Sequence, residues 1–264
     1  MRELFILGAS DPEMTQITAL LQQEKKDFIY AKKDGERVHA SNSYQANNSE
    51  EIPSNVGIIF IECEVSGITP KLYIDHHRPG DPGYDKGPEQ FWEGASLGQL
   101  HTYLGVVPTE KSKVLAAMDH CFPGAIKGLC PGVNPKSVLR IKLEAVAEAF
   151  NCSIDEVKKE VGRFQEILLR VRAKTVQIGG QVVYEIEEDL GIGYSLPYLS
   201  AQIAAVLEEK AILLHKPREQ DKIVLCGDAD KETVKYFMET WGPKHGLNKI
   251  YGTPSRGHAG GYKS

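Results

Sequence analysis

Val56-Gly57-Ile58-Ile59-Phe60-Ile61, running into Glu62-Cys63-Glu64, is the stretch on which the fold of this chain turns. It is continuous, rich in branched side chains and apolar on both faces. A strand at the middle of a parallel sheet, with helices on either side, has that character. Upstream, Leu4-Phe5-Ile6-Leu7 is a second apolar run, stopped by Gly8-Ala9. Ser10 or Asp11 can cap the helix that follows, Pro12 suits its first turn, and Ile17, Leu20 and Leu21 keep helical spacing. The polar, Ser- and Asn-rich segment from Gly35 to Pro53 reads as a hairpin or loop insert. Downstream, Leu72-Tyr73-Ile74 is a short strand ending in Asp75-His76-His77. A Gly/Pro-rich loop from Pro79 to Pro88 and a helix from about Glu89 to Tyr103 come next. Strands alternating with helices predict an α/β fold built on a doubly wound, mostly parallel sheet.

The remainder predicts a second, smaller α/β lobe. A helix over Thr109 to Ala125 carries Asp119 and His120. Residues 137–172 are long, charged and helix-periodic, interrupted at Asn151-Cys152-Ser153, where Ser153 and Glu156 form a capping-box pattern. After Lys174 short strands and helices resume. The expected division is 1–135, a metal-binding domain; 136–174, a helical connector; and 175–264, a small substrate-binding lobe, with the boundary near Arg172.

With 264 residues, 41% hydrophobic and 25% charged, the chain has the composition of an ordinary globular protein. A formal net charge of -5 argues against a partner such as long duplex nucleic acid. A small nucleotide or short oligonucleotide needs only a local basic pocket. Five cysteines without a C-x-x-C pair argue against a disulfide framework or zinc knuckle. No apolar run approaches the roughly 18 residues of a membrane span. A cytoplasmic protein without membrane contact is expected, and a homodimer is compatible with this reading.

In an open α/β sheet, ligands bind outside the carboxyl ends of the strands. Three predicted strands end in metal-competent residues: Asp11 after the first, Glu62 and Glu64 after the second, Asp75 to His77 after the third. One imidazole of the His pair can face an ion while the next faces substrate, and a neighbouring carboxylate can orient a ring. The alternatives are acidic residues that merely favour strand-to-helix loops and two satisfied loop histidines. Asp119-His120-Cys121 superficially suggests a zinc half-site. Adjacent helical residues, however, point about 100° apart, so only Asp119 is retained as a ligand. Arg78 can meet a phosphate oxygen or pair with Asp81 or Asp85. The small residues of Glu93 to Gln99 fit close helix packing better than a phosphate site, and Cys130 has no evident partner for reactive-thiol chemistry.

In order as well as in motif, the chain resembles the DHH phosphoesterases. The segments that carry the resemblance are Asp11-Pro12-Glu13, Ile61-Glu62, Ile74-Asp75-His76-His77, Asp119 and Gly257-His258-Ala259-Gly260-Gly261. The resemblance implies manganese or magnesium, one or two ions, held by Glu62, His76 and Asp119, with Asp11 and Glu13 as further donors. It implies that Asp75 and His77 are catalytic, Asp75 behind or bridging an ion and His77 beside the phosphate. Arg256, Gly257, His258 and Gly260 would bind the substrate phosphate. The first motif departs from the family pattern His-x-x-Pro-Asp-x-Asp: Ala9, Glu13 and Thr15 stand at the His and Asp positions, and Glu62 replaces an Asp. The expectation is a metal-dependent phosphoesterase, a hydrolase acting on phosphodiester or phosphomonoester bonds of small nucleotides or short oligonucleotides. The alternative is a catalytically decayed, nucleotide-binding or regulatory protein of the same fold.

Overall fold

The computed structural model of the protein describes residues 2–49, 52–170, 174–187, 190, 195–216 and 221–263. The boundary expected at Arg172 lies outside these residues. Contacts divide the chain into two compact units, Met1–Cys121 with Cys130–Val133, and Phe122–Leu129 with Asn134–Ser264. The fold is mixed α/β, with one large sheet in each unit and a two-stranded ribbon besides in the first.

The first unit opens with β1 (Glu3–Leu7), α1 (Pro12–Gln23) and β2 (Asp27–Tyr30). A short hairpin, β3 (Lys32–Lys33) and β4 (Glu36–Arg37), precedes β5 (Gly57–Ile61) and β6 (Leu72–Ile74). Four strands form a parallel sheet in the order β2-β1-β5-β6. The predicted central run is therefore β5, buried at all five positions. Chain order reverses between β1 and β5, the switch point at which open parallel sheets leave a crevice beyond their carboxyl ends. One face of β1 and β5 carries Leu4, Ile6, Ile58 and Phe60. It clusters with Ala31, Val38, Ala46 and Val65, so the polar insert, and not a helix, supplies that part of the core. The insert can do so because its few apolar residues turn inward while its Ser and Asn side chains bond locally, as Asn48 does to the Lys32 amide.

The expected helix after the Asp-His-His triplet is divided into α2 (Phe91–Gly94) and α3 (Ser96–Leu104), with extended backbone at Ala95. The small residues permit tight packing there: a Cβ on Gly98 would overlap the Trp92 carbonyl oxygen. α4 (Glu110–Ile126) breaks at Cys121, φ -153° and ψ 57°. Pro123 explains the break, because it has no N–H to give the carbonyl of Asp119 and its ring crowds that carbonyl.

In the second unit, α5 (Pro135–Ala149) and α6 (Ile154–Leu169) precede β7 (Lys174–Ile178), β8 (Gln181–Ile186), α7 (Leu196–Leu207), β9 (Ala211–Lys216) and β10 (Lys222–Gly227). α8 (Lys231–Tyr236), α9 (Gly242–Lys244), β11 (Leu247–Thr253) and β12 (His258–Lys263) complete it. The anticipated capping box of Ser153 and Glu156 is present at the start of α6. Six strands are ordered β11-β12-β10-β9-β8-β7, antiparallel except for the β8–β9 pair. α5, α6 and α7 share a core with Ile186, Ile212, Leu214 and Val224, and Val234 and Phe237 share another with Leu213, Ile223 and Leu225.

The ends of β1 and β5 approach closely. The Gly8 amide donates to the Ile61 carbonyl at 2.9 Å, and a Cβ at position 8 would overlap the backbone oxygen of Glu62. Gly8→Ala is therefore expected to cost about 1–3 kcal/mol of stability, as overpacking against rigid backbone does. Urea unfolding of the two proteins measures it, and equal midpoints would contradict the close approach.

Candidate metal centre

Glu13 lies in the first turn of α1, and its carboxylate is wholly buried. The Leu97 amide, in the first turn of α3, donates to its Oε1 at 3.1 Å. The capping position of that helix is Ala95, which has no acceptor, so a carboxylate from α1 does the capping instead. Glu13 Oε2 has no hydrogen-bond partner. Glu62 follows β5 directly, in the left-handed region at φ 53°. Its carbonyl accepts from Ser43 Oγ at 2.7 Å, while Oε1 of its buried carboxylate has no hydrogen-bond partner. His76, following β6, places Nε2 3.7 Å from Glu62 Oε1 and 3.3 Å from Asp119 Oδ2. One ligand atom from each of Glu13, Glu62, His76 and Asp119 lies within 4.8 Å of the others.

Asp75 plays a different part. It is buried, and its Oδ1 accepts from the amides of His76 (2.7 Å) and His77 (3.1 Å) and from His77 Nδ1–H (2.9 Å). Tyr44 Oη–H donates to the same carboxylate at 3.0 Å. Asp75 thus holds the triplet loop and the His77 ring. His77 is exposed, and it comes within 4.8 Å of ligand atoms of Glu62 and His76. Gln99 secures the loop from α3, its Nε2–H donating to the carbonyls of Asp75 and Gly94.

The other predicted site residues stand apart from the four. Asp11 is the capping residue of α1, its Oδ1 accepting from the Met14 amide at 2.6 Å. Thr15, at a ligand position of the family motif, turns its hydroxyl onto the Asp11 carbonyl. The Arg78 guanidinium pairs with Glu64 at 2.8 Å and lies over the Tyr44 ring at 3.9 Å, beside Asp81. In the second unit, Gly257 has φ 67°, and a Cβ there would crowd the Ala229 carbonyl. Gly260 leaves room for the Tyr251 ring. His258 is half-buried next to Arg256 and Lys222. Desolvation, then those two cations, push its pKa down to about 4, so the ring is neutral at pH 7. Nothing in the sequence marks Tyr44 or Gln99 as part of the site, Tyr44 standing out only as an aromatic in an otherwise polar insert, while His120 is read there only as a rejected partner of Asp119.

The electrostatics of the cluster are those of a group that could hold a cation. Burial, with the charges of Asp11, Asp119 and Asp75, lifts the Glu62 carboxyl to about 8 despite the opposing pull of His77. Burial and Asp119, Glu62 and Asp11 push Glu13 well above the ordinary range. Asp11 rises to about 6, through burial and then Asp119. Asp75 goes the other way: burial would raise it, but the hydrogen bonds and charge of His77 hold it below the usual carboxylate range. Carboxylates that are crowded, desolvated and short of donors suit a divalent cation. A set of three carboxylates and one imidazole fits manganese better than magnesium, which prefers an all-oxygen shell.

No protein-family model matches the chain, and no curated protein matches it. Among solved structures, a pGpG-specific phosphodiesterase, PggH, from Vibrio cholerae aligns with 100% of this chain and 93% of its own. It has 12% sequence identity and a TM-score of 0.38, a likeness too slight to carry fold or function. No described helix is long and apolar enough to cross a membrane.

The raised carboxyls tie stability to pH. Between 4.5 and about 8 the folded protein keeps a proton on Glu62 that the unfolded chain releases, and Asp11 acts in the same sense between 3.8 and about 6. With more protons bound in the folded state, unfolding free energy falls as pH rises through this window. Asp75 acts in the opposite sense below 3.8, and His258, neutral in the folded protein, does so between about 4 and 6.5. Chelator-treated protein is thus expected to melt at a lower temperature near pH 8 than near pH 6.5, above the range in which His258 opposes the trend. Saturating manganese should remove or reverse that slope, because the ion binds the deprotonated ligands. A melting temperature that rises over this interval without metal would contradict the cluster.

Proposed function

We propose that the protein is a metal-dependent phosphoesterase that hydrolyses phosphodiester or phosphomonoester bonds of small nucleotides or short oligonucleotides. The reading rests on one observation above the others: Glu13, Glu62, His76 and Asp119 converge in the interior, with carboxylate oxygens of the first two short of hydrogen bonds. The parallel strand order, with its switch point beside these residues, accords with the doubly wound sheet of the DHH phosphoesterases. In this reading the four residues hold a single ion, manganese in preference to magnesium. Such an ion would supply polarisation of a phosphoryl oxygen and acidification of a water.

The chain's own residues do the rest. Asp75 keeps the Nδ1–H of His77 engaged, so Nε2 of this exposed residue is the atom that exchanges a proton with water or the leaving oxygen. Arg256, with the backbone around Gly257 and Gly260, is the phosphate-holding group of the second unit. Lys222 lies over the rings of Tyr251 and Tyr262. His258, neutral at pH 7, serves there as a hydrogen-bonding group and not as a cation.

A second reading has a specific observation behind it. Ala9 brings no donor atom on its side chain, and the Thr15 hydroxyl is committed to a backbone carbonyl, so the first motif lacks the groups for a second ion. A one-ion site that binds nucleotides without turnover is the alternative. Manganese-loaded full-length protein, offered dinucleotides, short oligonucleotides and nucleoside monophosphates, discriminates between the two. Release of phosphate or mononucleotide is expected. His76→Ala should abolish both turnover and ion binding, and His77→Ala should keep the ion and lose about 10²–10⁴-fold in turnover. Full activity of the His76→Ala variant would sink the enzymatic reading. Nucleotide binding without product at any divalent ion would leave the binder.

A further inference from the structure

We infer that His120 is a positioning residue that sets the tautomer of His76, so that Nε2 of His76 is the atom offered to a divalent cation. The inference rests on the metal-site reading above and deepens it. His120 is completely buried. Its Nε2 lies 3.0 Å from the Lys86 carbonyl, which can only accept, so the proton resides on Nε2. On the neutral ring Nδ1 is then an acceptor, and a charged ring would have to be desolvated entirely. His76 Nδ1 lies 3.2 Å from that atom and must be the donor. An imidazole that donates through Nδ1 leaves Nε2 with its lone pair exposed, and in His76 this is the nitrogen facing Asp119 and Glu62.

Three elements of the fold cooperate in this relay. The Gly/Pro-rich loop after the triplet supplies the Lys86 carbonyl. α2 supplies Gly94, where any Cβ would overlap the His120 ring, so the bare backbone at 94 is the seat of that imidazole. α4 supplies both Asp119 and His120. Because consecutive helical side chains diverge by about 100°, one meets the cluster directly while the other stands behind His76.

Calorimetric titration of manganese into the metal-free full chain tests the relay, using wild type, His120→Phe and His120→Asn. Metal-free melting curves serve as the control for folding. The Phe variant removes the acceptor and is expected to weaken manganese binding about 10–100-fold, the usual effect of losing a group that orients a ligand imidazole. The Asn variant, whose side-chain carbonyl can accept from His76 Nδ1–H, should recover most of that loss and keeps the test valid if the Phe variant does not fold. Nitrogen-15 histidine spectra of magnesium-saturated wild type should show a proton on Nδ1 of His76 and none on Nε2. Wild type that binds no manganese would overturn the metal-site reading itself. Wild type that binds, with the Phe variant equally tight, would overturn only the role of His120. Phe and Asn variants weakened alike would reduce His120 to packing and overturn it too.

Discussion

Mutual repulsion among Glu13, Glu62 and Asp119, gathered about one face of His76, is the constraint to which the first unit is built. Like charges a few ångströms apart in a desolvated interior are among the most expensive arrangements a protein can hold. The chain meets the expense partly with protons, as the raised carboxyls show. It also uses directed dipoles: the amide at the start of α3 on Glu13 and the four donor groups around Asp75. The carboxylate with donors keeps a low pKa, and those short of donors are lifted. A cation placed among the second group would remove the repulsion that protons otherwise relieve.

The parallel sheet makes that gathering geometrically cheap. Leu7 and Ile61 are register partners on adjacent strands, as are Ile61 and Ile74, so the residues following all three strands emerge side by side. Glu62 and His76 come together with no special folding of the intervening chain. Glu13 and Asp119 reach the same place from helices, so the members of one cluster belong to four separate elements. The site can then be only as rigid as the packing among those elements, which is why glycines occur where backbone meets backbone or ring.

Much of this was legible in the sequence, and what was hidden has physical reasons. The apolar run at Val56 to Ile61 announces a central strand because only a doubly covered strand tolerates such continuity, although a polar insert forms part of the cover. The strand-end residues were readable because parallel strands align their carboxyl ends. Glu13 could be read only through the family resemblance, since nothing local reveals that a helix start elsewhere would take one of its oxygens. His120 was set aside by a sound argument about helix geometry. The divergence that prevents it from chelating with Asp119 directs it behind His76. Tyr44 lay in a segment whose composition suggests solvent, and Arg78 was ambiguous because every acidic neighbour was an equal candidate until Glu64 and Tyr44 enclosed it.

Glu62 occupies a backbone conformation that L-amino acids enter at a cost of about 1 kcal/mol or more and that glycine enters freely. Its carboxylate adds a second burden, being buried among like charges. On grounds of folding alone it is among the least suitable side chains for its position. A library of this protein sorted only for heat resistance would therefore enrich replacements at Glu62, and its hardiest survivors would have lost a donor from the site. Selection schemes for this scaffold need a readout of the cluster itself, and not of stability alone, in the screen from the first round.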